Sequence, residues 1–158
     1  MWDGSAPGTI VLVETRRRIL GSSDTVRLDL EIPAVPRMVS EVRRAFEDVP
    51  LPPRLLSDAQ LLVTELVTNS IHHAGLRRDE LIRVVATLST STLRVDVHDG
   101  GRRRLGPSVV AGAIRPAPGA ESGWGLYLVD RLAVRWGRSP GRFWFELALP
   151  GRQEPGER

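Results

Sequence analysis

At about 100° of rotation per residue, Glu65, Asn69 and His73 fall at i, i+4 and i+8 and share one row along a helix. Leu62 and Leu66 flank that row, so a carboxylate, an amide and an imidazole stand among leucines rather than on the wettest face. Polar groups so placed cost desolvation energy unless each has a partner, and a bound ligand can be that partner. Taken alone, the row also fits polar residues bonding to neighbouring strands. A second feature is Asp99-Gly100-Gly101 at the end of a strand-like run. A carboxylate there can accept a hydrogen bond from an amino group in a pocket, while the glycines allow close approach of a ligand. A plain Asp-Gly turn has the same sequence. The third feature is Ser122-Gly123-Trp124-Gly125-Leu126, immediately before a helical pattern. Glycines there expose backbone N–H groups at a helix N-terminus, which suits phosphate oxygens through hydrogen bonds and the helix dipole. An ordinary helix start reads the same way.

These groups need elements to hold them. Residues 25–32 alternate apolar Val26, Leu28, Leu30 and Ile32 with Arg27, Asp29 and Glu31, the period of a half-buried strand. Over residues 36–49, Met38, Val39, Val42, Ala45, Phe46 and Val49 recur at three- and four-residue spacing, which predicts an amphipathic helix with Pro36 in its first turn. Ser57-Asp58-Ala59-Gln60 matches a capping box, so the helix carrying the polar row is expected to open there and to stop at Gly75. Residues 81–88 and 92–98 read as adjacent antiparallel strands. Residues 102–122 show little periodicity and many Gly and Pro, and loops of that length inside a domain are usually functional. A third helix is expected over 124–133, then a closing hairpin of 134–136 and 142–149 around Ser139-Pro140-Gly141. The order β-α-α-β-β-α-β-β predicts an α/β two-layer sandwich, with a mixed, mainly antiparallel sheet and helices on one face.

Composition narrows the chemistry. All 22 basic residues of this 158-residue chain are Arg, so the sequence pI of about 10.7 accompanies a formal charge of only +3. Arginine keeps its charge to roughly pH 12, and the high pI reports residue type rather than charge excess. Without Lys there is no Walker-type phosphate loop and no Schiff-base chemistry. With no Cys, disulfide scaffolds, thiolate zinc sites and cysteine nucleophiles are excluded. Nucleic-acid binding through Arg16-Arg17-Arg18 and Arg102-Arg103-Arg104 is disfavoured by the nearby acids and by 5% aromatic residues. No apolar run reaches the roughly 20 residues of a membrane span and no signal peptide opens the chain, so no membrane association and a cytoplasmic location are expected.

The three features, in this order and spacing, resemble the ATP-binding domains shared by gyrase-type topoisomerases, heat-shock chaperones, sensor histidine kinases and mismatch-repair ATPases. Within that superfamily the chain is most similar to the small bacterial anti-sigma-factor serine/threonine kinases. Residues 65–74 (ELVTNSIHHA) match the family's N box, residues 99–101 its first glycine box and residues 123–130 (GWGLYLVD) its second. The resemblance implies a Bergerat-type fold over residues 24–150 that binds ATP and Mg²⁺ under a lid at 102–122. A partly ordered extension (1–23) and a flexible tail (151–158) would flank it. It further implies that Asn69 holds Mg²⁺, that Glu65 acts as base or water-positioner near the γ-phosphate, and that Asp99 accepts from the adenine amino group. Gly101, Gly123, Gly125 and Leu126 would shape base and phosphate contacts, with His73 and Arg103 supporting phosphate. The implied partners are a sigma factor and an anti-anti-sigma (STAS-type) protein, with the chain itself a homodimer. Two features depart from the family pattern: any lid cation must be Arg, and Arg102 follows the first glycine box where many relatives have a further Gly nearby. A binding module that uses ATP without kinase activity is the alternative.

Overall fold

A computed structural model describes residues 26–100 and 124–150, with the side chains of Val26 and His73 outside that description. The chain runs β1 (Val26–Pro33), α1 (Met38–Phe46), α2 (Pro53–His73), β2 (Leu81–Leu88), β3 (Thr92–His98), α3 (Trp124–Leu132), β4 (Arg135–Ser139) and β5 (Arg142–Ala148). The element order is the one expected. The five strands form one sheet in the order β1-β2-β3-β5-β4, and every described pairing is antiparallel.

Register follows from the alternation. Leu28, Ala86, Val95, Phe145 and Trp136 stand opposite one another across all five strands, and all five are buried. A slip of one residue in any strand would turn its apolar set to water. Turns fix the ends of the ladder. Between β2 and β3, Ser89 Oγ accepts from the Thr92 amide at 3.1 Å. Between β4 and β5, Gly141 takes a φ of +71°, a conformation open to glycine.

Both helix starts differ from the sequence expectation. The first helix opens at Met38 rather than at Pro36, with Arg37 as its N-cap. The capping box at Ser57 is not a cap: α2 begins at Pro53, and Ser57 Oγ donates back to the Pro53 carbonyl at 3.0 Å. Proline suits the first helical position, where its missing N–H is not needed, so Pro53 starts the helix one turn early. At the other end the expected stop is found, with Ala74 as C-cap and Gly75 at φ +70°. Ala59, Leu62, Val63, Leu66 and Val67 of α2 are all buried. On its α1 side, Gln60 Nε2 donates to the Arg43 carbonyl at 2.9 Å.

The opposite face of the sheet is a lattice of charges. Asp29 accepts two hydrogen bonds from Arg83, at 2.8 and 2.6 Å. Asp96 accepts from both Arg94 and Arg142, and Arg94 also donates to Glu146 at 2.6 Å while its guanidinium lies 4.2 Å from the centre of the Trp144 ring. Burial pushes the Asp96 carboxyl up, but the hydrogen bonds and charges of Arg142 and Arg94 outweigh it and hold the group below its usual range. A carboxylate depressed in the folded state stabilises the fold above its unfolded value of about 3.9, and that stabilisation is lost as pH falls through the folded value. Melting temperature is therefore expected to be insensitive to this group above about pH 5 and to fall on acidification below about pH 4. Asp96→Asn should flatten that acid slope and lower stability at pH 7 by roughly 1–3 kcal/mol, the cost of stripping two guanidinium groups of a charged partner. Thermal melts from pH 2 to 7 check both.

Candidate functional site

The site is built on α2 and α3. Glu65 and Asn69 lie on the flank of α2 that faces α3, beside the buried Leu62 and Leu66. Both are half-buried. Among the described residues neither makes a hydrogen bond or ion pair, and neither belongs to the polar atoms sealed from water. An amide oxygen and a carboxylate thus sit one helical turn apart, with no hydrogen-bond partner among the described residues.

Gly125 closes the other side. A Cβ built at Gly125 would stand 2.6 Å from Glu65 Oε2, 3.2 Å from Glu65 Cβ and 3.3 Å from Asn69 Nδ2. The backbone of α3 therefore lies directly on the two polar side chains. Leu126 and Val129 turn into the core, and farther along α3 the Asp130 carboxylate accepts from Trp136 Nε1 at 2.9 Å, tying the helix to β4. At the exposed start of α3, Trp124 packs edge-to-face on Tyr127 with ring centres 5.8 Å apart.

Asp99 is buried just past the end of β3, the strand on which α2 packs. Its amide donates to the Gly141 carbonyl at 3.0 Å, which anchors the strand end to the β4–β5 turn. Gly100 follows at φ +61°, a conformation that favours glycine. Of the residues singled out from sequence, the structure brings Glu65, Asn69 and Gly125 into contact and buries Asp99 at the end of β3. His73 is the last residue of α2. Gly101, Arg103 and Gly123 lie outside the described residues, as do the 102–122 segment and the two chain ends. Sequence reasoning missed the contact of Gly125 with Glu65. A Gly in the first turn of α3, inside the second glycine box, is its only trace in the sequence.

A family model for the histidine kinase-like ATPase domain matches residues 32–141, from the end of β1 to the β4–β5 turn. The chain belongs to this family. Membership implies ATP as the nucleotide, typically with Mg²⁺. Among solved structures, the chain is similar to the RsbU and RsbW domains of Rv1364c from Mycobacterium tuberculosis, at 20% identity and a TM-score of 0.49 over 78% of this chain. It spans about a third (34%) of that chain. The comparison with curated proteins finds no match.

The geometry fits such a ligand. Mg²⁺ takes oxygen ligands and keeps several waters, so one amide oxygen plus phosphate oxygens suffices. Among the described residues no group of three or more His, Cys, Asp or Glu could hold a metal ion by itself. No helix among them is long and apolar enough to cross a membrane.

Proposed function

We propose that this protein is an ATP- and Mg²⁺-dependent anti-sigma factor that binds a sigma factor and phosphorylates a serine of an STAS-type antagonist. The observation that carries the reading is the convergence of Glu65, Asn69 and Gly125, with both polar ends without hydrogen-bond partners among the described residues. The N-box and glycine-box motifs, which most resemble those of the anti-sigma-factor kinases, supply the substrate class.

In this reading Asn69 would hold Mg²⁺ through its side-chain oxygen, and the ion would supply charge neutralisation to the phosphates. Asp99 orients the base by accepting from its amino group, and Gly101, Gly123 and Leu126 shape the base and phosphate contacts. Glu65, one helical turn from the metal ligand, takes the proton of the attacking serine hydroxyl. His73 and Arg103 support the phosphates in the absence of any Lys. Phosphoryl transfer demands mainly positioning and charge stabilisation, which this set provides.

The test is to incubate the protein with Mg·ATP and an STAS-type antagonist bearing an acceptor serine. Phosphoserine on the antagonist is the expected result, and absence of transfer to every such antagonist would instead favour a binding module. Asn69→Ala is expected to weaken Mg²⁺-dependent nucleotide binding by at least roughly tenfold, as loss of a metal-binding group does. Titration of nucleotide with and without Mg²⁺ reads this, and unchanged affinity would rule out the metal role.

A further inference from the structure

We propose that Gly125 is a positioning residue for Glu65: by leaving empty the space of a side chain, it lets the α3 backbone set where the Glu65 carboxylate stands. The inference rests on the reading of Glu65 as the base.

Backbone conformation does not require a glycine at position 125. Among the described residues only Gly75, Gly100 and Gly141 have positive φ, so the Gly125 backbone is one that any residue could adopt. It is the second residue of α3, where a glycine is less favourable than Ala by up to about 1 kcal/mol. A helix that bears this cost without a conformational need has a steric one. The three distances identify it, since a real Cβ is not found within 3.0 Å of such neighbours and this one would lie 2.6 Å from Glu65 Oε2. The carboxylate could swing away, but Glu65 Cβ, at 3.2 Å, belongs to α2 and could recede only if the helices part. A methyl at 125 would therefore displace the carboxylate first and the helix pair second.

Nothing else among the described residues orients this group, because Glu65 makes no hydrogen bond or ion pair there. Among the described residues, the backbone of α3 is the contact that limits where it stands. The helix is itself fixed, by buried Val129 and by the Asp130–Trp136 hydrogen bond. Asn69 touches the same empty position, so one backbone surface keeps the spacing of carboxylate and amide constant. For a base that must meet a hydroxyl within hydrogen-bond reach, displacement by about 1 Å is worth up to 10²-fold in rate.

Gly125→Ala is expected to lower the kcat of phosphoryl transfer roughly tenfold or more, with Mg·ATP affinity within about threefold of native. A second readout is free of activity. The fall in melting temperature caused by Gly125→Ala should be smaller in a Glu65→Ala background, where the closest contact is gone. Equal falls in the two backgrounds, an unchanged kcat, or a loss confined to nucleotide affinity would each overturn the proposal; the last would mean that position 125 serves phosphate approach. If Gly125→Ala alone does not fold, the Glu65→Ala/Gly125→Ala protein should, and failure of both would overturn it. If the native protein transfers no phosphate to any antagonist, the kinase reading fails, and the melting comparison still decides whether Gly125 seats Glu65.

Discussion

Glu65→Gln is expected to reduce phosphoryl transfer by about 10² to 10⁴, the range set by loss of a general base, while nucleotide affinity stays within about threefold of native. The amide matches the carboxylate in size, so it keeps the seat over Gly125, where Glu65 Oε2 stands 2.6 Å from the site of an added Cβ. It cannot take up a proton. The substitution thus removes one chemical property and leaves the packing of α2 against α3 in place. Initial rates of transfer from Mg·ATP to the antagonist serine give the first quantity. The fluorescence of Trp124, half-exposed at the start of α3 one residue from Gly125, offers a direct probe of the second. Transfer at native rate in Glu65→Gln would refute the base role. The comparison with Asn69→Ala is informative because the two residues are neighbours on one helical row with opposite expected signatures. Loss of the amide should appear in binding, and loss of the carboxylate in turnover.

Much of this geometry was legible in the sequence because it depends on local period. The row of Glu65 and Asn69 beside Leu62 and Leu66 follows from the helical repeat alone, and α2 places it where that repeat says. Residues 81–88 and 92–98 are strands with the expected bounds, because their alternation matches a face that is buried. The start of α2 was misread for a physical reason. A capping box is recognised by residue types at a spacing, and Ser57 has the right type, but its hydroxyl bonds back to Pro53 inside a helix that proline had already begun. Glycines were illegible in a different way. Gly100 and Gly141 are there for positive φ, and Gly125 is there to admit Glu65, yet all three look alike in sequence because the distinction lies in neighbours distant along the chain. The charged lattice behind the sheet was hidden likewise. Arg94 meets Glu146 and Trp144 only once β3 and β5 are in register.

Phe145→Ala is expected to cost about 3–5 kcal/mol of folding stability. The ring is fully buried in the cross-strand row, paired with Val95 on one side and Trp136 on the other, and α2 packs over its strand. The cavity left by truncation has strand backbone on two sides and cannot close easily, which places the cost in the upper part of the range for such substitutions. For a chain of this length each kcal/mol shifts the melting temperature by about 2–4 °C, so a fall of roughly 10 °C is expected in thermal melts, with a matching loss in urea denaturation. Val134→Ala, at a residue 56% exposed, should stay within about 0.5 kcal/mol of native. The core substitution also bears on the site. A ligand that binds only the folded state adds about 2.7 kcal/mol at one hundred times its Kd, whatever the stability of the unliganded fold. Saturating Mg·ATP should therefore raise the stability of Phe145→Ala as much as that of the native protein, provided the cavity leaves α2 in place, and should do far less for Asn69→Ala. Equal stabilisation of all three would detach nucleotide binding from Asn69, while a smaller gain in Phe145→Ala alone would mean that the sheet beneath α2 holds Glu65 and Asn69 in position.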